Sequence, residues 1–264
     1  MLYYAEIFKC VVQSTLKLNK SQNKIYLYTG SIELLYKNWM DVNLDEHELN
    51  RLSSFHNVQD RNTFVVCRFY LKKLASEFLG LSEDILKIGY GTNGKPFIEN
   101  ENIYFNCSHT EDNFVIAITA LGEIGIDIEC INRSITISKL SNLILSDCEQ
   151  ISLSQYLEDK RKEMFLKIWT VKESFFKGLG GGLSSPLKHI EVKFKNDSVV
   201  GILNTFVGEF NLVNWQILIP ELKNDLIGAI AINCRSLNIE LVKQCLTEII
   251  SSELDLKHDE IYPF

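Results

Sequence analysis

The sequence predicts an α+β protein built from two halves of broadly similar order that meet near residue 106. Three observations carry this expectation. The 264 residues are 46% hydrophobic, which supports a substantial core and argues against a disordered chain. Short β-branched and aromatic runs read as strands, while two long stretches keep a helical period. The resulting order is strand, helices, strands, helices, strands, which segregates the helices from the sheets. No Pro/Ser-rich linker, internal repeat or low-complexity segment divides the chain.

Taken in order, residues 24–28 (Lys-Ile-Tyr-Leu-Tyr) predict a strand. Apolar positions at Leu49, Leu52, Phe55, Phe64, Val65, Tyr70, Leu71 and Leu74 predict helix over 45–79. Residues 89–96 (GYGTNGKP) are turn chemistry. Residues 103–105 predict a short strand running into Asn106-Cys107-Ser108-His109. Two strands follow at 114–120 and 124–129, joined by a turn at Leu121-Gly122. Helix is expected at 140–149 and 151–177, stopped by Gly178, Gly180, Gly181 and Gly182. Strands are expected at 190–194, 199–203, 215–219 and 226–232, then a terminal helix at 237–254. The N-terminal half is taken as 1–105, with 1–23 an extension. The C-terminal half is 106–264, carrying the metal site, with 235–264 a helical tail.

Composition narrows the function. A net charge of −7 disfavours a general nucleic-acid binder, so any phosphate site must be a local basic patch. Seven cysteines without a CxxC pair point to free thiols in a reducing compartment. No secretory pattern opens the sequence, and Glu123 and Asp127 interrupt its best apolar run. A cytoplasmic protein with no membrane partner is expected.

Two stretches carry the chemistry. In Gly125-Ile126-Asp127-Ile128-Glu129 a strand places both acids on one face and both isoleucines on the other. Side by side, carboxylates repel unless a cation sits between them, and Mg²⁺ takes one or two carboxylates plus substrate phosphate. A solvated strand face is the plainer alternative. In Trp169-Thr170-Val171-Lys172-Glu173-Ser174-Phe175-Phe176-Lys177, Trp169, Glu173 and Lys177 share one helical ridge, while Ile168, Val171 and Phe175 form an apolar stripe. Lys172 projects to a neighbouring part of the surface. An ordinary amphipathic helix with one Glu–Lys pair is the alternative. Ser108 and His109 point to opposite sides of a strand, which disfavours a nucleophile–base pair; a phosphate-binding loop or a capped turn remains. Gly94-Lys95-Pro96 holds a lysine in a rigid turn. Arg51 and Arg61 offer guanidinium to phosphate, or simply line a solvated helix face. The glycines after Lys177 follow a helix, so they do not make a nucleotide loop.

Together and in order, Asp60-Arg61, Gly94-Lys95-Pro96, Asn106-Cys107-Ser108-His109, Gly125–Glu129 and Trp169–Lys177 resemble the 4′-phosphopantetheinyl transferases. The likeness is to the large monomeric type that activates surfactin-synthetase-like enzymes, and it spans about residues 24–234. It implies two similar α+β halves related by a pseudo-twofold, with the active site in the cleft between them. It implies transfer of the phosphopantetheine arm of coenzyme A to a serine of an apo acyl or peptidyl carrier protein, releasing adenosine 3′,5′-bisphosphate. Asp127, Glu129 and Glu173 would bind Mg²⁺, with Mn²⁺ a possible substitute. Lys172 and Lys177 would neutralise the pyrophosphate. Ser108, His109 and Arg61 would hold the 3′-phosphate, with Arg51 nearby. Gly94, Lys95 and Pro96 would line the nucleotide site. Glu173, or a water held by the metal, would act as base. Some relatives carry two lysines where Glu48 and Arg51 stand here, which reverses one charge. Two other classes stay open: a Mg²⁺-dependent phosphodiesterase, and a non-catalytic carrier-binding module.

Overall fold

A computed structural model describes residues 23–36, 43–181, 186–195, 198–204, 212–223, 225–236 and 238–248. The elements are β1 (Lys24–Ser31), α1 (Ile32–Tyr36), α2 (Glu46–Ser54), α3 (Val58–Leu79), β2 (Ile88–Tyr90), β3 (Pro96–Ile98), β4 (Tyr104–Thr110), β5 (Asn113–Thr119) and β6 (Ile124–Cys130). They continue with α4 (Ile137–Ile144), α5 (Asp147–Ser154), α6 (Glu158–Leu179), β7 (Ile190–Lys195), β8 (Ser198–Asn204), β9 (Trp215–Leu218), β10 (Leu226–Asn233) and β11 (Glu240–Cys245). The predicted α+β class holds. The expected extension at 1–23 lies outside the described residues except for Asn23.

The first sheet has the order β11-β1-β5-β4 and the second β6-β10-β9. Period-two alternation sorts their side chains into layers. From β1 and β5, Tyr26, Tyr28, Phe114, Ile116 and Ile118 face α3 and pack with Val66, Tyr70 and Leu74. The opposite faces contribute Ile25, Leu27, Val115 and Ala117 to a second core, where they meet Ile124, Ile126, Ile128, Ile230 and Ile232 of the other sheet. The far face of that sheet, with Ala229 and Ala231, packs with Phe165, Ile168, Val171 and Phe175 of α6. The order of layers is helix, sheet, sheet, helix.

Local chemistry sets the breaks that hydrophobic period alone misses. The single helix expected over 45–79 is two. Asp45 and Glu48 form a capping box that starts α2, and the Asn57 side chain accepts from Gln59 N–H at 2.8 Å to start α3. Ser146 and Glu149 form a second capping box that separates α5 from α4. The helix α6 stops as expected: Gly180 is left-handed (φ 76°), and Gly181 N–H returns to Phe176 O at 2.8 Å.

Two expectations change. The tail predicted as helix over 237–254 contains strand β11, which pairs parallel to β1 from Lys24↔Glu240 to Thr29↔Cys245; residues 237 and 249–254 lie outside the described residues. The open edge of β1 supplies backbone partners, and Leu241 and Val242 reach the cores on either side of the sheet. The division expected near residue 106 falls inside β4, which belongs with β1 and β5. The chain passes between the sheets at residues 120–123.

Candidate active site

The edge strands β4 and β6 lie side by side, and α6 crosses directly over β6. Gly125 permits that approach: a Cβ there would stand 2.0 Å from Ser174 O and 2.3 Å from Gly178 N. Because the isoleucines of β6 take the inter-sheet core, Asp127 and Glu129 face α6 and are only 6% and 7% exposed. They are not a solvated strand face.

Each acid has a cation and a hydroxyl. Lys177 Nζ is 2.6 Å from Asp127 Oδ1, and Ser108 Oγ donates to the same oxygen at 2.9 Å. Lys177 also donates to Ser108 Oγ at 3.0 Å. Arg133 pairs with Glu129 Oε2, which also accepts from Thr110 Oγ1 at 3.2 Å. The Arg133 guanidinium sits 5.6 Å from the Trp169 ring, so that tryptophan backs the pair. Burial raises the Glu129 carboxyl above its ordinary range, and Asp127 adds to the rise against Arg133. Glu173 is raised too, first by burial and then by Asp127, with Lys177 opposing and Glu129 adding. The three acids thus form one field of mutually repelling charge.

That field suits a divalent cation. Asp127 Oδ2 is buried with no hydrogen-bond partner, an arrangement that costs free energy unless a donor or cation meets it. Among the described residues no three His, Cys, Asp or Glu side chains already converge as a cage. Lys177 and Arg133 instead occupy oxygens of Asp127 and Glu129. The donor set of carboxylate oxygens is the one hard cations take.

A family model described as "4′-phosphopantetheinyl transferase superfamily" matches residues 123–231, and one described as "4′-phosphopantetheinyl transferase, N-terminal" matches residues 36–121. The chain is 30% identical over 184 residues to the 4′-phosphopantetheinyl transferase ffp of Bacillus subtilis, covering 64% of this chain and 80% of that protein. The chain belongs to the 4′-phosphopantetheinyl transferase family.

Two further relatives are the 4′-phosphopantetheinyl transferases HetI of a Nostoc species (26% identical, 56% of this chain and 64% of that one) and gsp of Aneurinibacillus migulanus (27%, 57% and 62%). The chain thus spans under two thirds of the length of these two relatives. The boundary between the two family models, at residues 121–123, coincides with the passage between the sheets.

Within this phosphopantetheinyl transferase family member, several expected residues stand elsewhere. Lys172 does not reach the acids. It is 0% exposed, pairs with Glu149 Oε2 at 2.5 Å and donates to Ile144 O at 2.8 Å, between α4, α5 and α6. One residue along a helix is a rotation of roughly 100°, which turns it away from Glu173. Ser108 Oγ gives its one proton to Asp127 Oδ1. Lys95 donates to Glu123 Oε2 at 2.6 Å, Gly178 O at 2.9 Å and Ile124 O at 3.1 Å, tying the β2–β3 hairpin to β6 and α6. With Pro96 it lines a cavity of about 370 Å³ shared with Phe105, Gly178 and Trp215; Gly94 (φ 80°) forms the turn before it.

His109 points out from β4; surrounding protein lowers its pKa, Lys177 adds to that, and Asp60 and Asp127 oppose it. Arg61 is exposed and donates from Nε to Phe55 O at 2.8 Å. Arg51 is exposed beside the Phe64 ring, at 5.9 Å. The reversed charge at Glu48 does not face solvent. Glu48 is buried and paired with Arg68 at 2.9 Å and Lys72 at 2.7 Å. Sequence reasoning passed over Thr110 and Arg133. Thr110 was detectable as the next residue on the face of Asn106 and Ser108; nothing in the sequence marks Arg133 beyond its place after the strand.

Proposed function

We propose that this chain transfers the 4′-phosphopantetheine arm of coenzyme A to a serine of an apo acyl or peptidyl carrier protein, with Mg²⁺ or Mn²⁺, releasing adenosine 3′,5′-bisphosphate. The observation that carries the proposal is the acid field of buried Asp127 and Glu129 and half-buried Glu173, with Lys177 against it, in a chain of this family. Asp127, Glu129 and Glu173 would hold the cation, which would supply positive charge to neutralise the pyrophosphate. The carrier serine Oγ attacks the β-phosphorus, a phosphorus–oxygen bond forms, and the bond to adenosine 3′,5′-bisphosphate breaks. Glu173, or a water held by the metal, takes the serine proton. Lys177 stabilises charge developing on the phosphoryl oxygens. The exposed Arg51, Arg61 and His109 hold the 3′-phosphate, while the Gly94-Lys95-Pro96 turn borders the nucleotide. The enzyme works as a cytoplasmic monomer of the large surfactin-synthetase-activating type.

Incubation with coenzyme A, Mg²⁺ and a panel of apo carrier proteins, read by intact-mass spectrometry, tests this. A phosphopantetheine-sized gain, lost with EDTA and in Asp127→Ala, is the expected result. No gain on any carrier and no binding of coenzyme A would overturn it.

A further inference from the structure

Strand β6 is the edge of its sheet, and its outward amides need partners. They find side chains of β4. Ile126 N–H donates to Asn106 Oδ1 at 3.0 Å, Ile128 N–H to Ser108 Oγ at 3.3 Å and Cys130 N–H to Thr110 Oγ1 at 3.2 Å. These residues alternate on both strands, so one face of β4 forms a ladder with one edge of β6. A hydroxyl has one proton and two lone pairs. Ser108 gives its proton to Asp127 Oδ1 and accepts from Ile128 N–H and Lys177 Nζ. Thr110 gives its proton to Glu129 Oε2. Each hydroxyl therefore grips the backbone of β6 and the neighbouring acid together.

We infer that Asn106, Ser108 and Thr110 are positioning residues that set the register of β6 against the first sheet and, through Ser108 and Thr110, orient the Asp127 and Glu129 carboxylates toward the cation. This rests on the proposed reading of those acids as cation ligands. A ladder of backbone bonds would hold the strands equally well but would donate nothing to the acids. The side-chain ladder makes the geometry of the acids depend on how the two sheets meet.

Thr110 gives the cleanest test, because valine keeps its shape and removes only the hydroxyl. Mn²⁺ binding to the purified chain, with and without coenzyme A, is measured by electron paramagnetic resonance beside thermal melts. In Thr110→Val the Mn²⁺ dissociation constant rises by about tenfold, the range of second-sphere losses at metal sites. In Thr110→Ser it returns to within about twofold of the parent, and the KM for coenzyme A at saturating Mg²⁺ stays near the parent value in both. If Thr110→Val does not fold, Ser108→Ala against Ser108→Thr is read the same way. Parental Mn²⁺ affinity in a folded Thr110→Val, or no recovery in Thr110→Ser, overturns the positioning role and leaves the transfer reading standing. A parent chain that binds no Mn²⁺ in either condition overturns both. Mn²⁺ binding with the expected variant pattern but no transfer to any carrier supports the positioning role against the transfer reading.

Discussion

Glu173 is charged under protest. Burial and the nearby Asp127 and Glu129 hold its carboxyl above the ordinary value of 4.5. Between about 4.5 and the raised folded value the folded chain keeps a proton that the unfolded chain has lost, so stability falls as pH rises through that window. Glu173→Gln removes that conflict. Its Tm should exceed the parent's at pH 7, by roughly 2–4 °C per kcal/mol relieved, with the gap closing as pH falls toward 4.5. Its turnover should drop on the order of a hundredfold or more. Near-parental turnover would remove Glu173 from the proposed mechanism. Thermal melts across pH and the carrier mass assay give both readings. The acids were legible at this scale because strand alternation alone puts Asp127 and Glu129 together. The two lysines, by contrast, were grouped by resemblance. A turn of 3.6 residues keeps Lys177 on the Glu173 ridge and rotates Lys172 off it.

At the scale of elements, α6 is held twice. Gly125 lets its backbone settle on β6, and Lys172 anchors its opposite side. Glu149 joins three parts at that anchor: it caps α5 at Ser146 N–H (2.8 Å), accepts from Val192 N–H of β7 (2.7 Å) and pairs with Lys172. Breaking a buried pair from one side leaves an uncompensated charge, so Lys172→Met should cost about 3–5 kcal/mol of stability. Glu149→Gln in the same chain should restore part of that loss. Denaturant melts of the single and double variants decide it. A Lys172→Met variant with unchanged stability and no transfer would return Lys172 to a direct role in the reaction. The helices were legible from their apolar period, and the stop of α6 from its glycines. The breaks at residues 55–57 and 145–146 rest on capping side chains, Asn57 at the first and the Ser146–Glu149 pair at the second, which a hydrophobic period does not register.

For the whole molecule, the end of the described chain matters. Strand β11 covers the outer edge of β1, and Leu246 beyond it is buried in the core under α3. Truncation after residue 239 should lower Tm, with loss of Leu246 burial alone worth about 1.5–3 kcal/mol, and should raise aggregation through the bared strand edge. Differential scanning fluorimetry with light scattering measures both. An unchanged Tm would mean that β11 adds nothing to the first sheet. Among the described residues no helix is long and apolar enough to cross a membrane.

The sequence by itself determined the α+β class, the pairing of Asp127 with Glu129 and the ridge that carries Glu173 and Lys177. Each follows from a local repeat, two residues in a strand or 3.6 in a helix. Only the tertiary structure decided that Thr110 and Arg133 serve the acids, that Glu48 and Lys172 are buried partners of other charges, and that residues 240–245 complete the first sheet. Those outcomes depend on partners far apart in the chain, such as Lys24 with Glu240, and local pattern carries no record of which distant group will meet it.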